Sequence, residues 1–368
     1  MAQAMDIVLD LDATAQTPRS AAPHAARTHI ADDRAMLKAA ADLTRDLNQP
    51  IPAIYWTDLI ASATIGYAAL AAAMLAGSTA LEIAAGIVAV LALYRAESFI
   101  HELTHVKHAS LPGFRLGWNL LVGIPLLTPS FMYEGVHNLH HARTRYGTAE
   151  DPEYLPLALM KPWTLPVFLI VSLLAPIALL VRFAVLAPLS AVIPRLRAIV
   201  VGRYSGLAIN PSFRRRPAEG EAKRWWRALE TAASLWAITL LTATAIGIVP
   251  LTAFLVFLAV ASGVAVINQV RTLVAHLWEN EGEAMTVTAQ YLDSVNVPPP
   301  SALPALWAPV GLRYHALHHL LPGLPYHALA EAHRRITAAL DTESPYHKGN
   351  HAGLPGLVAR LTASTMRR

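Results

Sequence analysis

The sequence predicts an all-α integral membrane protein with four to six transmembrane or re-entrant helices and a cytoplasmic, histidine-rich cap. Three observations lead to this fold class. Of the 368 residues, 54% are hydrophobic and 15% are charged, which is too apolar for an ordinary soluble protein. The apolar residues form several runs long enough to enter or cross a bilayer. Histidines cluster just beyond such runs, where a membrane helix would meet water.

By composition, the chain divides into three parts. Residues 1–50 form a polar N-terminal segment with an amphipathic helix expected over 31–47, and they lack the pattern of a cleaved signal peptide. Residues 51–335 form the membrane domain, and residues 336–368 form a polar C-terminal tail. The net charge of +4 is attributed to loops that face anionic lipid, because a basic balance in so apolar a chain does not indicate nucleic-acid binding.

The predicted membrane helices come from apolar stretches at 59–76, 80–100, 116–132, 165–192, 231–248 and 251–267. Gly77 and Ser78 predict a tight hairpin between the first two stretches. The third stretch is marginal in length for a full crossing and is interrupted by Asn119, Gly123 and two prolines. We therefore expect it to be an interfacial or re-entrant segment that returns to the side from which it started.

All histidine clusters must lie on one side of the membrane, so the chain must cross an even number of times between the second and third clusters. The linker after 165–192 is basic and should be cytoplasmic by the positive-inside rule. Its cationic residues are Arg195, Arg197, Arg203, Arg214, Arg215, Arg216, Lys223, Arg224 and Arg227. We favour a hairpin or re-entrant element over 165–192, hinged near Pro176. In the alternative, each stretch crosses once, the linker lies outside and the last helix is long and kinked.

The histidine spacings suit metal binding. The clusters read HELTHVKH, HNLHH and HALHH, and one more histidine follows the last apolar stretch; the residues are His101, His105, His108, His137, His140, His141, His276, His315, His318 and His319. Residues four apart lie on one helix face, so the outer histidines of each H-x2-H-H cluster share a face and the remaining one can reach an adjacent metal. Without metal, so many unpaired imidazoles beside lipid would carry a steep desolvation cost.

The residue types restrict the metal chemistry. The chain has no cysteine, which excludes iron–sulfur and zinc–thiolate sites and leaves imidazole and carboxylate as ligands. Without His108, the remaining nine histidines are enough for two iron ions with four or five imidazoles each and an open position for oxygen. His108 remains a candidate ligand by helical phase. Glu102 is a candidate for orienting a metal-bound imidazole, because such imidazoles usually donate their second N–H to a carboxylate or a carbonyl.

These clusters resemble the histidine boxes of the membrane fatty acid desaturase superfamily, which also includes alkane hydroxylases and carotenoid hydroxylases and ketolases. The matching residues are HELTH at 101–105, HNLHH at 137–141, His276 and YHALHHLLPGLPYHAL at 314–329. The resemblance covers about 59–333. It implies a cytoplasm-facing di-iron centre that uses O2 and two electrons to break an unactivated C–H bond of a lipid chain. The ligand pattern of the superfamily is complete without His108.

The resemblance also implies the partners. The sequence contains no HPGG haem motif, so electrons are expected from a separate donor of the ferredoxin, rubredoxin or cytochrome b5 type with its reductase. The substrate should be a lipid or fatty acyl chain, and the location an integral protein of a bacterial inner membrane. Arg143, Arg271 and Arg313 are expected at the cytoplasmic boundary, where they would hold a phosphate or carboxylate head group.

Desaturation of a fatty acyl chain is the expected reaction. The alternative is hydroxylation or ketone formation on a lipid, an alkane or a carotenoid. A more distant alternative rests on the H-E-x-x-H pattern of His101, Glu102 and His105, which is typical of zinc metalloproteases and would make Glu102 the general base of an intramembrane protease. That alternative leaves both H-x2-H-H clusters unexplained.

Overall fold

A computed structural model describes residues 30–366; residues 1–29 of the predicted N-terminal segment and residues 367–368 of the predicted tail lie outside the described residues. Within the described part, the regular secondary structure is helical. The α-helices are α1 (Arg34–Leu43), α2 (Pro52–Met74), α3 (Thr79–His105), α4 (Phe114–Trp118), α5 (His137–His140), α6 (Thr164–Leu173), α7 (Ala175–Val181), α8 (Ala187–Val192), α9 (Pro194–Tyr204), α10 (Gly220–Ala245), α11 (Leu251–Leu273), α12 (Val287–Asp293), α13 (Pro304–Trp307), α14 (His315–Leu320), α15 (Leu329–Ala339) and α16 (Leu354–Thr365).

Five helical runs among residues 30–366 are long and apolar enough to cross a membrane. They are α2, α3, α10, α11 and the run Ala175–Val192, in which a π-helical turn joins α7 to α8. The predicted hairpin of α2 and α3 is present, and the Ser78 side chain caps α3 by accepting from the Leu81 N–H. The two helices approach closely at Gly66, where an added Cβ would lie 2.7 Å from Leu93. The predicted class, an all-α integral membrane protein, is confirmed.

The segment that follows α3 enters the helix bundle and returns to the same side. Its ends are joined by an ion pair in which the Arg115 guanidinium donates to the Glu134 carboxylate, with an Nε–Oε1 distance of 2.7 Å. Between these ends, the Trp118 indole N–H donates to the Ala96 carbonyl of α3 at 2.8 Å. A chain whose two ends meet in this way has not crossed the bilayer, so the predicted re-entrant segment is confirmed.

The basic linker lies on the histidine side of the membrane. Before the stretch 164–204, the Ala158 N–H donates to the carbonyl of Trp278, close to His276. After that stretch, the Leu207 N–H donates to the carbonyl of Met132, just before the second histidine cluster. The chain therefore crosses an even number of times in between, as predicted. The alternative that places the linker on the opposite side is wrong, whereas its cytoplasmic location stays a prediction.

Two features of the stretch 164–204 explain why the chain returns to the histidine side. The helix is interrupted at Leu174, between α6 and α7, where Pro176 in the first turn of α7 lacks the N–H of a helical hydrogen bond. Helix α9 then folds back, so that the Arg182 guanidinium donates to the Tyr204 carbonyl at 2.7 Å while also pairing with Glu230 of α10. In this ion pair, the charges of Arg182 and Glu230 compensate each other. Either charge buried alone inside the bundle would cost free energy.

The remaining elements form a cap on the histidine side. Helix α1 is amphipathic, as predicted, and its buried Met36 and Ala40 pack with Leu317 of α14 and Ile336 of α15. Helix α16 buries Leu357 against the loop after α11. The predicted boundary at residue 335 falls inside α15, so part of the predicted tail belongs to a helix that packs on the cap. The cap and the ends of α3 and α11 enclose the histidines.

Candidate metal centre

The first and second clusters meet at the end of α3. His101 and His105 are one helical turn apart, and their ring centroids are separated by 5.0 Å. The second cluster forms the single turn α5, with His141 as its C-cap residue. His137 lies 4.6 Å from His101 and 4.9 Å from His105, measured between ring centroids. The local helical geometry thus directs one face of each cluster towards the other.

The third cluster is held beside His276 by an extended segment that follows α12. The Val295 N–H donates to the Ala275 carbonyl at 2.9 Å, and the Ala316 N–H donates to the Val295 carbonyl at 3.1 Å. Asn296, which is fully buried, accepts from the Leu317 N–H through Oδ1 at 3.0 Å. These bonds fix α14 relative to the end of α11. Nothing in the local sequence pattern pointed to Asn296.

Nine of the predicted histidines form two adjacent groups. The five-histidine group contains His101, His105, His137, His141 and His318, and the four-histidine group contains His140, His276, His315 and His319. Within each group, one ligand atom from every ring lies within 4.8 Å of the others. The groups touch where His141 and His319 stack, with ring centroids 4.3 Å apart. Each H-x2-H-H cluster contributes to both groups, in the alternation that helical spacing predicts.

The ring nitrogens have the chemistry of a metal site. In the five-histidine group, Nε2 of His141 lies 3.0 Å from Nε2 of His137 and 3.1 Å from that of His318. In the four-histidine group, Nε2 of His315 lies 3.0 Å from Nε2 of His276. Both ring nitrogens of His101 are buried and have no hydrogen-bond partner. Burying a ring nitrogen without a hydrogen-bond partner costs free energy. The lone pairs that converge in each group therefore fit binding of one cation per group.

Burial also sets the protonation state that metal binding needs. It lowers the pKa of the His141, His276, His315 and His319 imidazoles well below the usual range, because a charged ring would be desolvated. Neutral imidazole keeps a lone pair for a metal. The donor set, imidazole without thiolate, is one that suits iron, as it does copper, nickel and zinc.

Two outer nitrogens of the four-histidine group, those of His140 and His276, contact acidic or hydroxyl side chains, whereas Nδ1 of His315 and of His319 is buried without a hydrogen-bond partner. His140 Nδ1 lies 2.9 Å from the Asp151 carboxylate. Burial lowers the pKa of His140 and the neighbouring Asp151 carboxylate raises it, with a net rise. His276 Nδ1 lies 2.9 Å from the Tyr146 hydroxyl, which donates to Asp293 at 3.0 Å. Such contacts orient a ligating ring and raise its basicity.

One outer partner of the five-histidine group was missed in the sequence. His137 Nδ1 lies 2.9 Å from the Glu153 carboxylate and 2.8 Å from the Tyr133 hydroxyl. Burial raises the pKa of Glu153 to about 7. Glu153 and Asp151 belong to one acidic turn, in which the Glu153 N–H donates to Asp151 Oδ1 at 2.8 Å. The signal available in the sequence was this D-P-E run at 151–153, in the loop that follows the second cluster.

Glu102 lies beside His101 but makes its hydrogen bonds away from the histidines. Its Oε2 accepts from the Tyr55 hydroxyl at 2.5 Å and from the Tyr326 N–H at 3.1 Å, while Oε1 is 3.8 Å from His101 Nδ1. Its main contacts thus hold the loop after α14 to α2. A general base must lie within hydrogen-bonding reach of the metal-bound water, and this orientation does not support that role.

His108 lies outside both histidine groups. It follows α3 in a 3-10 turn, its side chain is 47% exposed, and Nε2 is 3.2 Å from the Leu103 carbonyl. Two other acidic residues near the clusters are paired elsewhere, Glu134 with Arg115 and Glu279 with Arg360.

Comparisons with known proteins agree with this geometry. The family model described as "Fatty acid desaturase" matches residues 75–350. The chain is also 49% identical over 324 residues to a protein named ceramide hydroxylase from Caulobacter vibrioides (strain NA1000 / CB15N), an alignment that covers 88% of this chain and 92% of the relative. The name of that relative describes hydroxylation, the alternative to the desaturation that we expected. On both comparisons, this chain belongs to the fatty acid desaturase family of membrane oxidoreductases.

Proposed function

We propose that this protein is a membrane di-iron oxygenase that hydroxylates a ceramide or a closely related lipid. The observation that carries the proposal is the extended similarity to a protein named ceramide hydroxylase, at 49% identity over most of both chains. Family membership alone is compatible with desaturation as well. The proposal therefore replaces desaturation with the alternative reaction, on the strength of the relative.

The nine grouped histidines supply the ligands for two iron ions in this proposal, one ion in each group. Bound iron supplies the activation of O2 that C–H oxidation requires. The overall reaction converts C–H, O2, two electrons and two protons into C–OH and water. The electrons come from a separate donor protein of the ferredoxin, rubredoxin or cytochrome b5 type.

The chain itself orients the ligands and screens the centre. Seven of the nine histidines are buried, which limits competing access of water. Asp151 holds the His140 ring, and Tyr146 holds the His276 ring. Both contacts are made by side chains of the protein itself. The rings are therefore held in position before substrate binds and need not be reordered during each turnover.

A neutral lipid head group fits the cationic residues better than the anionic group that we expected. Arg143 pairs with Asp32 at 3.0 Å. Arg313 donates to the carbonyl oxygens of Val297 and Ser301 at 2.7 and 2.8 Å. Two of the three arginines expected to bind a phosphate or carboxylate are thus engaged within the protein. Ceramide carries hydroxyl and amide groups but no charge.

The experiment is expression in a bacterial host without ceramides, supplied with a saturated ceramide under 18O2. The expected product is heavier than the substrate by one 18O atom and retains its saturation. Formation of an alkene, two mass units lighter and free of 18O, would show desaturation instead. The His315→Ala variant serves as the inactive control, because it removes one nitrogen of the four-histidine group.

We also propose that the centre faces the cytoplasm of the inner membrane. The support is the basic linker, which lies on the histidine side and which the positive-inside rule assigns to the cytoplasm. A Ser212→Cys variant places one exposed thiol in a chain without cysteine. An impermeant thiol reagent should label this cysteine only after lysis of spheroplasts. Labelling in intact spheroplasts would show that the linker and the centre face the opposite side.

A further inference from the structure

A small cavity lies beside the metal centre, between α6 and the end of α11. Its volume is about 140 Å³, room for on the order of ten water-sized groups. Its lining is mostly apolar and includes Leu155, Trp163, Thr164, Phe168, Ser172 and Gln269. None of them is a histidine of the two groups. The cavity is too small for a whole lipid and large enough for a short part of one.

Two polar side chains in the wall have unused hydrogen-bonding capacity. The Thr164 hydroxyl oxygen and the Gln269 side-chain nitrogen are buried and have no partner, and these residues are only 4% and 9% exposed. Ser172, by contrast, donates its hydroxyl hydrogen to the Phe168 carbonyl. Buried polar groups are nearly always paired in folded proteins. An unpaired amide N–H and hydroxyl in one apolar wall therefore indicate a ligand that supplies the missing partners.

The ligand must be uncharged, because no lining residue carries a charge. A larger cleft between α9 and α10 is different, since Arg197, Arg215, Lys223 and Arg227 line it. A phosphate or carboxylate would be drawn to that cationic cleft and would be desolvated without compensation in the small cavity. A secondary amide matches the cavity: its carbonyl accepts from Gln269, and its N–H donates to Thr164.

The cavity is placed for a substrate of the metal centre. Leu155 follows Tyr154, whose ring centroid is 6.1 Å from that of His276. Gln269 lies one helical turn before Leu273, and both Tyr154 and Leu273 belong to the apolar cluster that the cavity borders. Trp163, at the start of α6, is 41% exposed and marks the outer wall, where a lipid tail could leave towards the bilayer.

We propose that this cavity binds the neutral amide of the lipid substrate through Gln269 and Thr164, and so sets the distance between the amide and the oxidised carbon. The inference rests on the proposed function for the identity of the substrate. It goes beyond that function because it assigns a binding site for the lipid amide to Gln269 and Thr164, which lie outside the histidine clusters.

The test is binding of N-hexanoyl ceramide to the purified, iron-loaded protein in detergent, without reductant. We expect the dissociation constant to rise roughly tenfold in Gln269→Leu and several-fold in Thr164→Val, the usual effect of losing one buried hydrogen bond. Thr272→Val is the matched control. Thr272 lies on α11, as Gln269 does, and its hydroxyl hydrogen is already donated to the Asn268 carbonyl. An analogue with an ester in place of the amide should bind wild type more weakly, and Thr164→Val should not weaken it further.

Wild-type affinity for ceramide in Gln269→Leu and Thr164→Val, both with full iron content, would overturn the inference. Equal competition by phosphatidylglycerol would overturn it too. If the Gln269→Leu protein does not accumulate, the Thr164→Val protein still tests the inference. Gln269-dependent binding without any hydroxylated product would end only the proposed function, whereas hydroxylation with Gln269-independent binding would end only this inference.

Discussion

The two histidine groups differ in how their rings are held. The four-histidine group is wholly buried, and it collects residues from α5, the segment after α11 and α14, which only tertiary contacts bring together. Two of its outer nitrogens contact Asp151 and Tyr146, whereas those of His315 and His319 have no hydrogen-bond partner. The five-histidine group includes two partly exposed rings, His105 and His141. Each group has a pair of rings from a single helix, His101 and His105 from α3 or His315 and His319 from α14.

This difference indicates two ways of orienting a ligand. Where a continuous helix presents imidazoles one turn apart, the backbone itself sets their spacing. Where the rings come from separate segments, hydrogen bonds from carboxylates and hydroxyls must hold them. We therefore expect rings from separate segments, such as His140 and His276, to depend on their outer partners, and the ring pairs on α3 and α14 to depend on their helices.

The largest expected effect comes from removing a ring of the four-histidine group. His315→Ala should lower activity by more than about 100-fold, beyond the usual cost of losing an outer partner. Elemental analysis of the purified variant should show that iron falls from about two ions to about one, since in the proposed centre each group would hold one ion. His347→Ala, outside both groups, is the control. Two retained iron ions would contradict the division into two groups.

A second prediction compares the outer partners. Asp151→Asn should lower activity and iron retention by roughly 10 to 100-fold, because the carboxylate of Asp151 is the acidic partner of His140. Glu153→Gln should have a smaller effect, since Tyr133 also contacts His137 Nδ1 at 2.8 Å. Iron loss to a chelator over time measures both. Equal loss from the two variants would contradict the predicted difference between His140 and His137.

Glu102→Gln should have a still smaller effect on turnover. The substitution retains one side-chain oxygen to accept from Tyr55 or Tyr326, and one altered hydrogen bond is worth about 1 kcal/mol, so activity should fall by less than about tenfold. Steady-state hydroxylation assays measure this. Complete loss with normal iron content, or cleavage of a membrane peptide by wild type alone, would restore Glu102 as a catalytic base.

The smallest effect is expected at His108. Because its ring lies outside both groups and is half exposed, His108→Ala should change activity and thermal stability by no more than about twofold and 0.5 kcal/mol. Iron content should equal that of the wild type. A loss of one iron ion would instead make His108 a tenth ligand.

The sequence by itself determined the fold class and the alternation within each cluster. Apolar length predicts membrane helices because the bilayer thickness is fixed, and the broken stretch before the second cluster was correctly predicted as re-entrant. In H-x2-H-H, the helical period alone separates His140 from His137 and His141. These features depend on residues within one continuous segment of the chain, which a sequence pattern records directly.

Only the tertiary structure decided which clusters share a group and where Glu102 and Glu153 point. His140 joins His276 and His315 through contacts spanning more than a hundred residues, and no local period encodes such a pairing. Glu102 turns to Tyr55 and the Tyr326 backbone, whereas Glu153 takes the place beside His137. A side chain's partner depends on packing between distant segments, so the same carboxylate in the same motif can face a metal site or leave it.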